Sequence, residues 1–487
     1  MKRHIHPCLL CVAPSLEVSL IVRLPFLMIE DADVIQISNG KQVLGIETDP
    51  VEEAIYRTIE TDLAQHQETQ HHSHEFSPSI YRVLRNLRDV SPDSYTPRVV
   101  SLGPFHKGAE NLKKAERYKL SCVLDLFGHL ESTREQRLKA CIRMMHAKLP
   151  RIKASYEGDT MSYDDHEFAK MMVVDACFII NFVYNYRSSN NSGTIINETR
   201  LLNLHVHQDL VLLENQIPFF VLQDVFECTI GVSAPGASLV NLFLSFLKVM
   251  NPFTRELVLD GTGTNHDHIL GLLHKCYQHQ HPDADAFSAY MGTPPNWSIR
   301  DLGWAGVQFR PNPYFSGDSE GVLSMKFQPY VRHACGWLRA GKRILSMPML
   351  RIGVPTELIL RNLIAYEQCS PAVPHPVTSY VVAMGSLLQT KDDFVMAIRE
   401  GIVGSSFGSI EQVSSIFSSL CKEVMVKDFS YLKEWRQLDD FYNSFWPKNM
   451  ARLRSTYPWS SIGILSVSGI ILFGLTAVQT YFTVRPL

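Results

Sequence analysis

Residues 209–226 read DLVLLENQIPFFVLQDVF, and their reading decides the fold. The apolar residues neither alternate nor keep to one helical face. A segment apolar all round belongs inside a large core. Pro218 cannot sit within a continuous helix but suits the first turn of a new one. The stretch therefore predicts two buried helices, one ending near Glu214 and the next starting near Pro218. Glu214, Asn215 and Gln216 form the joint, their polar groups bonding the backbone N–H and C=O groups that the break leaves free.

Working outward, 487 residues suggest two to four domains, and 45% hydrophobic with 20% charged residues is ample for a globular core. A net charge of -3 gives no electrostatic reason to expect nucleic acid as a partner. Among the 10 cysteines only Cys8 and Cys11 are closely spaced, and no second C-x-x-C completes a zinc site. Most sit among apolar residues and read as small buried hydrophobes of a reducing compartment.

Residues 1–27 start basic and run apolar, but Glu17 and Arg23 interrupt the run. They read as a non-native start with Met28 as the true one, a disordered segment or a weak signal-like segment. Residues 28–78 form an acidic, then His-rich flexible segment, in which His71, His72, His74 and Glu75 read as solvated linker rather than a metal site. Residues 79–455 form the main helical domain. Its opening run YTPRVVSLGPFHKG is β-like, punctuated by Pro97 and Gly103-Pro104. Helical patterns follow over 109–150, Phe168–Tyr184, SLVNLFLSFLKVM, HDHILGLLHKCYQ and ELILRNLIAYEQC, and GVLSMKF and RILSMPMLRI have strand character. Capping boxes open helices at Thr390–Asp393 and Ser409–Gln412. The expected class is mainly α with a small β element.

Residues 459–482 predict a C-terminal transmembrane helix. Ser461–Phe482 carries no charge, and 22 residues at about 1.5 Å each span roughly 33 Å, enough for a bilayer core. Ser468, Gly469, Thr476, Gln479 and Thr480 fall on one side and predict a helix-packing face. Lys448, Arg452 and Arg454 precede the span and only Arg485 follows, which keeps the large domain cytosolic, with the plasma membrane the expected location. The opposite orientation requires a working N-terminal signal and exposes glycosylation triplets at Asn190, Asn197 and Asn296.

Candidate chemistry is sparse. His205-Val-His207-Gln-Asp209 resembles the ligand run of binuclear metal hydrolases, but Leu210 stands where its last histidine belongs. Asp209 reads instead as the cap of the helix that follows. His266, His268, His274, His279 and His281 cluster, and His268 has helical spacing in an apolar setting. No nucleophile, phosphate-loop or metalloprotease motif is present, so no catalytic, cofactor or metal residue is expected. The alternative, a metal-dependent enzyme, requires His205, His207 and His268 to converge.

Several stretches in order resemble the plant family known as domain of unknown function 247. They are Ile80–Val83, Tyr95–Pro97, Val100–His106 with Gly108, Asp175–Phe178, Asp209–Leu222, Leu302 to Phe309, Arg361–Gln368, Leu475-Thr476 and Gln479–Tyr481. Leu84, Phe105, Ala115 and Ala176 depart from the family's usual residues. The resemblance implies a plant membrane-associated protein with one C-terminal span and unknown biochemistry. Some grass members are implicated in self-incompatibility, a role nothing in this chain singles out. The resulting expectation is a membrane-anchored, non-catalytic interaction or recognition protein. Its partners are lipid through the C-terminal helix and another protein, a second copy of the chain included.

Overall fold

Helices α1 (Lys113–Gly128) and α2 (Arg134–Ala147) pack against α3 (Asp165–Ser188), whose other sides meet the helices that follow the central stretch. The computed structural model describes residues 54–61, 77–128, 134–158, 163–188, 200–234, 236–259, 266–278, 297–312, 321–329, 343–456 and 459–484. Two units divide at Thr69 and Gln70. In the first, residues 54–61 form a helix; everything below concerns the second. The 1–27 segment, most of 28–78 including its histidines, and all three glycosylation triplets except Trp297 and Ser298 lie outside the described residues.

Helix α3 begins where the Asp164 carboxylate accepts from the His166 and Glu167 N–H groups at 3.1 and 3.3 Å. Its Phe168, Met172, Cys177, Ile179 and Phe182 are fully buried, because it runs through the middle of the first helical group. After it come α4 (Arg200–Asp209), α5 (Phe219–Cys228), α6 (Leu239–Met250) and α7 (Ile269–Lys275). The C-terminal half adds α8 (Ile299–Ala305), α9 (Val354–Cys369), α10 (Pro376–Leu387), α11 (Lys391–Arg399) and α12 (Ile410–Leu420). Helix α11 opens with the expected reciprocal box: Asp393 Oδ2 accepts from the Thr390 N–H at 2.8 Å, and the Thr390 hydroxyl accepts from the Asp393 N–H at 3.4 Å. At α12 the box is half formed, with Ser409 accepting from the Gln412 N–H at 3.2 Å. The mainly helical class with a small β element is as expected.

Strands β1 (Val307–Pro311), β2 (Lys326–Pro329) and β3 (Arg343–Met347) form one small sheet in the order β1-β3-β2, the first pair parallel and the second antiparallel. Strands β4 (Leu350–Ile352) and β5 (Val403–Ser405) form a second, parallel pair. The β-like run at 95–108 joins neither sheet. Its backbone is satisfied by side chains, as described below.

The chain closes on α13 (Trp459–Val484), a helix over the stretch expected to be one. Every described side chain on it is exposed, Ile470 and Phe473 by 72% and 78%. Among the described residues no helix is long and apolar enough to cross a membrane. The run with described side chains, 468–484, is 17 residues (484 − 468 + 1), or about 26 Å, short of the roughly 30 Å hydrocarbon core. The expected packing face is also less polar than its composition suggests. The Thr476 and Thr480 hydroxyls donate to the Leu472 and Thr476 carbonyls of their own helix, both at 2.8 Å. Gly469 and Gln479 remain exposed on that side.

Candidate functional site

The central stretch breaks earlier than its apolar pattern suggests. Helix α4 stops at Asp209 rather than near Glu214, and residues 210–217 form a buried turn before Pro218 serves as the N-cap of α5. The first helix ends early because side chains of the joint compete for its last carbonyls. Asn215 Nδ2 donates to the Asp209 carbonyl at 2.9 Å, and Gln216 Nε2 donates to the Leu210 and Leu212 carbonyls at 2.9 and 2.8 Å. Gln216 Oε1 accepts from the Leu270 N–H at 3.2 Å, tying the turn to α7.

The remaining groups of the joint reach an irregular strap, residues 79–108, that crosses over it. Asp209 does not cap the following helix, as its position implied. Its carboxylate accepts from three successive strap N–H groups, Arg98, Val99 and Val100, at 2.9, 2.7 and 2.9 Å. Burial pushes its pKa up to about 6 despite those donors. Asn215 Oδ1 accepts from the Leu102 N–H at 2.7 Å, and its Nδ2 also donates to the Val100 carbonyl at 3.0 Å. Glu214 accepts from the Val83 N–H at 2.7 Å and pairs with Arg88. His106 Nε2 stands 3.3 Å from the other Glu214 oxygen, an ion-pair contact without hydrogen-bond alignment. Burial disfavours the Glu214 charge, but His106, Arg88 and the Val83 N–H outweigh it and hold the carboxyl below its ordinary range.

Two further anchors complete the joint. Asp175 of α3 accepts from the Gly103 N–H at 2.9 Å and from Lys119 Nζ at 2.7 Å, and Lys119 also donates to the Ser101 carbonyl. Both side chains are almost fully buried. Burial opposes the charge on Lys119, yet Asp175 and Glu116 more than offset it and raise its pKa. A lysine held charged in a dry core needs an anionic neighbour. Asp175 is therefore the carboxylate of an ion pair, although its own burial pushes its pKa up. On the far side, Asn362 of α9 accepts from the Leu213 N–H at 2.9 Å and donates to the Ser94 and Leu358 carbonyls at 2.7 and 2.8 Å. The strap thus lies in a cradle of side-chain donors and acceptors that stands in for a neighbouring strand.

Gly103 sits where the strap passes closest to the joint. Its φ is +68°, and a Cβ there would lie 2.7 Å from the Gln216 carbonyl and 2.9 Å from the Tyr156 hydroxyl. Gly103→Ala is expected to cost about 1–3 kcal/mol from the left-handed backbone alone, with the clash added. Denaturant midpoints check this, and an unchanged midpoint removes the close approach from the account.

The histidines do other work. His268 caps α7: its Nδ1 accepts from the Gly271 N–H at 3.0 Å and its Nε2 donates to the Ser79 carbonyl at 3.0 Å. His274 Nε2 donates to Glu367 at 2.8 Å, and that carboxylate accepts from the Val377 and Thr378 N–H groups that open α10. His207 lies among aromatic rings, stacked on Phe246 at 5.0 Å and edge-on to Phe182 at 5.2 Å, whereas His205 pairs with Gln208 at 3.1 Å. His268 and His274 share Tyr366, at 4.9 and 5.4 Å between ring centroids, while His207 belongs to the α3–α6 cluster. Among the described residues no group of three His, Cys, Asp or Glu side chains could hold a metal ion; His279 and His281 lie outside them. The seven described cysteines are free, and Cys122, Cys141, Cys177 and Cys276 are buried.

His268 supplies a pH signature. Burial depresses its pKa to about 4. Between that value and the unfolded value of about 6.5, the unfolded chain binds a proton that the native chain does not. Stability contributed by neutral His268 is therefore complete above pH ~6.5 and is lost as the pH falls towards 4, by about 3 kcal/mol. Asp209, with a raised pKa, acts in the opposite sense over part of that window. The test is the difference between the parent and His268→Asn in urea midpoints at pH 7 and pH 4. The parent's advantage should shrink by about 3 kcal/mol; a constant difference rejects the assignment.

Pattern reading missed Lys119 and Asn362. The one signal for Lys119 was its partner, since a lone carboxylate at Asp175 inside the apolar run MMVVDACFIINF demands a buried cation or donors. Asn362 had no comparable signal.

These features define a class first: a mainly helical protein whose conserved-looking polar stretch builds an architectural joint. The particular family follows. A family described as "Plant protein of unknown function", domain of unknown function 247, matches residues 80–475, beginning at the strap and ending inside α13. The chain belongs to this family. It is similar to two proteins of Arabidopsis thaliana. The UPF0481 protein At3g47200 is 27% identical over 436 residues, covering 82% of this chain and 85% of the relative. The putative UPF0481 protein At3g02645 is 22% identical over 506 residues, covering 88% and 93%. No solved structure matches.

Proposed function

We propose that this protein acts by binding rather than catalysis, as a helical body held at a membrane by its C-terminal helix. The observation that carries the reading is α13, where Ile470, Leu472, Phe473, Leu475 and Phe482 are more than half exposed on different sides of one helix. A helix apolar and exposed all round needs an apolar surrounding. In sequence the apolar run extends back to Ser461, giving the length a bilayer requires. Eleven Ile, Leu, Val and Phe residues in Ser461–Phe482 favour insertion by about 3–7 kcal/mol. Lys448 and Arg452 on its N-terminal side favour a cytosolic body, at the plasma membrane. Lipid is then one partner and another protein the second, a second copy included. The polar groups of the family stretch support the non-catalytic reading because they are engaged with backbone.

The experiment is alkaline extraction of membranes from cells expressing the full chain, paired with protease protection. The chain should stay in the membrane pellet, leave only with detergent, and lose its body to protease added on the cytosolic side. A stop codon after Ser455 should release it. Recovery of the intact chain in the detergent-free soluble fraction rejects the anchor, and a glycosidase-sensitive mass shift rejects the orientation.

A further inference from the structure

Strand β1 is an edge strand, and the way it pairs leaves part of its backbone unused. The Arg343 N–H donates to the Gly306 carbonyl at 3.4 Å, and the Asn312 N–H donates to the Met347 carbonyl at 2.8 Å. With the register Val307↔Arg343 through Pro311↔Met347, parallel alternation directs the even-numbered residues of β1 to β3. The N–H and C=O groups of Val307 and Phe309 therefore point to the opposite edge. Among the described residues they meet no hydrogen-bond partner there. Yet these two residues are only 3% and 2% exposed. Backbone polar groups that are so enclosed and unpaired carry a free-energy cost that a partner strand relieves.

That edge borders a groove of about 720 Å³ between β1, α8 and α11. Its walls carry Arg300, Arg310 and Arg399 against only two carboxylates, Asp392 and Glu400. Asp392 is held by Arg300 at 2.5 Å and Glu400 by Arg399 at 3.5 Å. The charge therefore comes out one positive, and Arg310 is exposed on the strand itself. Half-exposed Val395 of α11 gives the facing wall an apolar patch.

We infer that this groove is a docking site for an extended acidic peptide, which adds as a strand to the free edge of β1. Its backbone pairs with the N–H and C=O groups of Val307 and Phe309. Because side chains alternate along a strand, every second residue falls on the Arg310 side and is acidic there, while the others lie towards Val395. The inference deepens the binding function proposed above and rests on it, but not on the anchor.

The test uses the full chain in detergent and a short fluorescent peptide of alternating valine and glutamate. Binding is read by anisotropy, and amide hydrogen exchange is measured on the same complex. The peptide should bind, and exchange should slow at Val307 and Phe309 but not at Gln308 and Arg310. Arg310→Glu should weaken it by about tenfold or more and favour the lysine-for-glutamate peptide instead. A copy N-methylated at alternate residues should not bind. No binding by the parent, equal binding of the N-methylated copy, or unchanged exchange at Val307 and Phe309 each overturns the inference. Membrane extraction of the same preparation reports separately on the anchor, so the two readings fail independently.

Discussion

Asn215→Leu is expected to destabilise the chain by about 3–6 kcal/mol, a large share of a typical domain's stability. Leucine matches asparagine in shape and suits the apolar setting, so packing loss is small. What is lost is three hydrogen bonds at once: from the Leu102 N–H, and to the Val100 and Asp209 carbonyls. Asn215 is fully buried, so water does not replace them. Each stranded group costs about 1–3 kcal/mol. Urea midpoints give the number, and amide exchange at Leu102 should quicken first, because the strap loses its hold before the helices do. Gln412→Leu, on the exposed face of α12, is the control and should fall within about 0.5 kcal/mol of the parent. If the two variants are equally stable, Asn215 is not part of the architecture.

The same residue marks where sequence reading succeeds and where it stops. Local chemistry was legible: Pro218 breaks the central apolar run, Glu214, Asn215 and Gln216 bond backbone there, and Thr390 with Asp393 opens α11. Each depends on neighbours within a few residues, and periodicity or capping rules report such contacts directly. The partners of the joint were not legible. Asp209 finds the strap 109–111 residues away, and Asn362 finds Leu213 across 149. A side chain satisfying an irregular backbone leaves no period in either segment. For the same reason the run at 95–108 looked like a strand: its residues suit extended backbone, and pattern alone does not say whether a strand or a set of carboxylates will meet its N–H groups. The parallel pairing of β1 with β3 was equally hidden, since parallel register is set by the crossover and not by either strand's own sequence. At the C-terminus composition did place the helix, but it assigned the threonines to helix contacts when their hydroxyls close on their own backbone.

Lys119→Met is expected to cost about 3–5 kcal/mol at neutral pH, because it leaves the Asp175 carboxylate buried without its cation. Methionine fills the volume of the lysine stem, so the loss is electrostatic. Asp175 would keep only the Gly103 N–H, at 2.9 Å, and the strap would lose the bond from Lys119 to the Ser101 carbonyl. Adding Asp175→Asn removes the stranded charge while keeping an acceptor for Gly103, so the double variant should be more stable than Lys119→Met alone. The pH dependence has a definite sign. Burial already pushes the Asp175 pKa up, and removing Lys119 raises it further. The native variant then binds a proton that its unfolded chain lacks at mildly acidic pH, so its deficit relative to the parent should shrink as the pH falls from 7 to 5. Midpoints of parent, single and double variants at both pH values test this together. A deficit that ignores pH, or that Asp175→Asn deepens, would mean the pair is not ionised and that Lys119 holds the strap through Ser101 alone. The stakes extend beyond stability. The strap reaches the joint through Asp175, Asp209, Glu214 and Asn215, which come from α3, the end of α4 and the turn before α5. A polar set so committed to holding backbone has few atoms left for a substrate, which is the physical content of reading this family's central stretch as architecture.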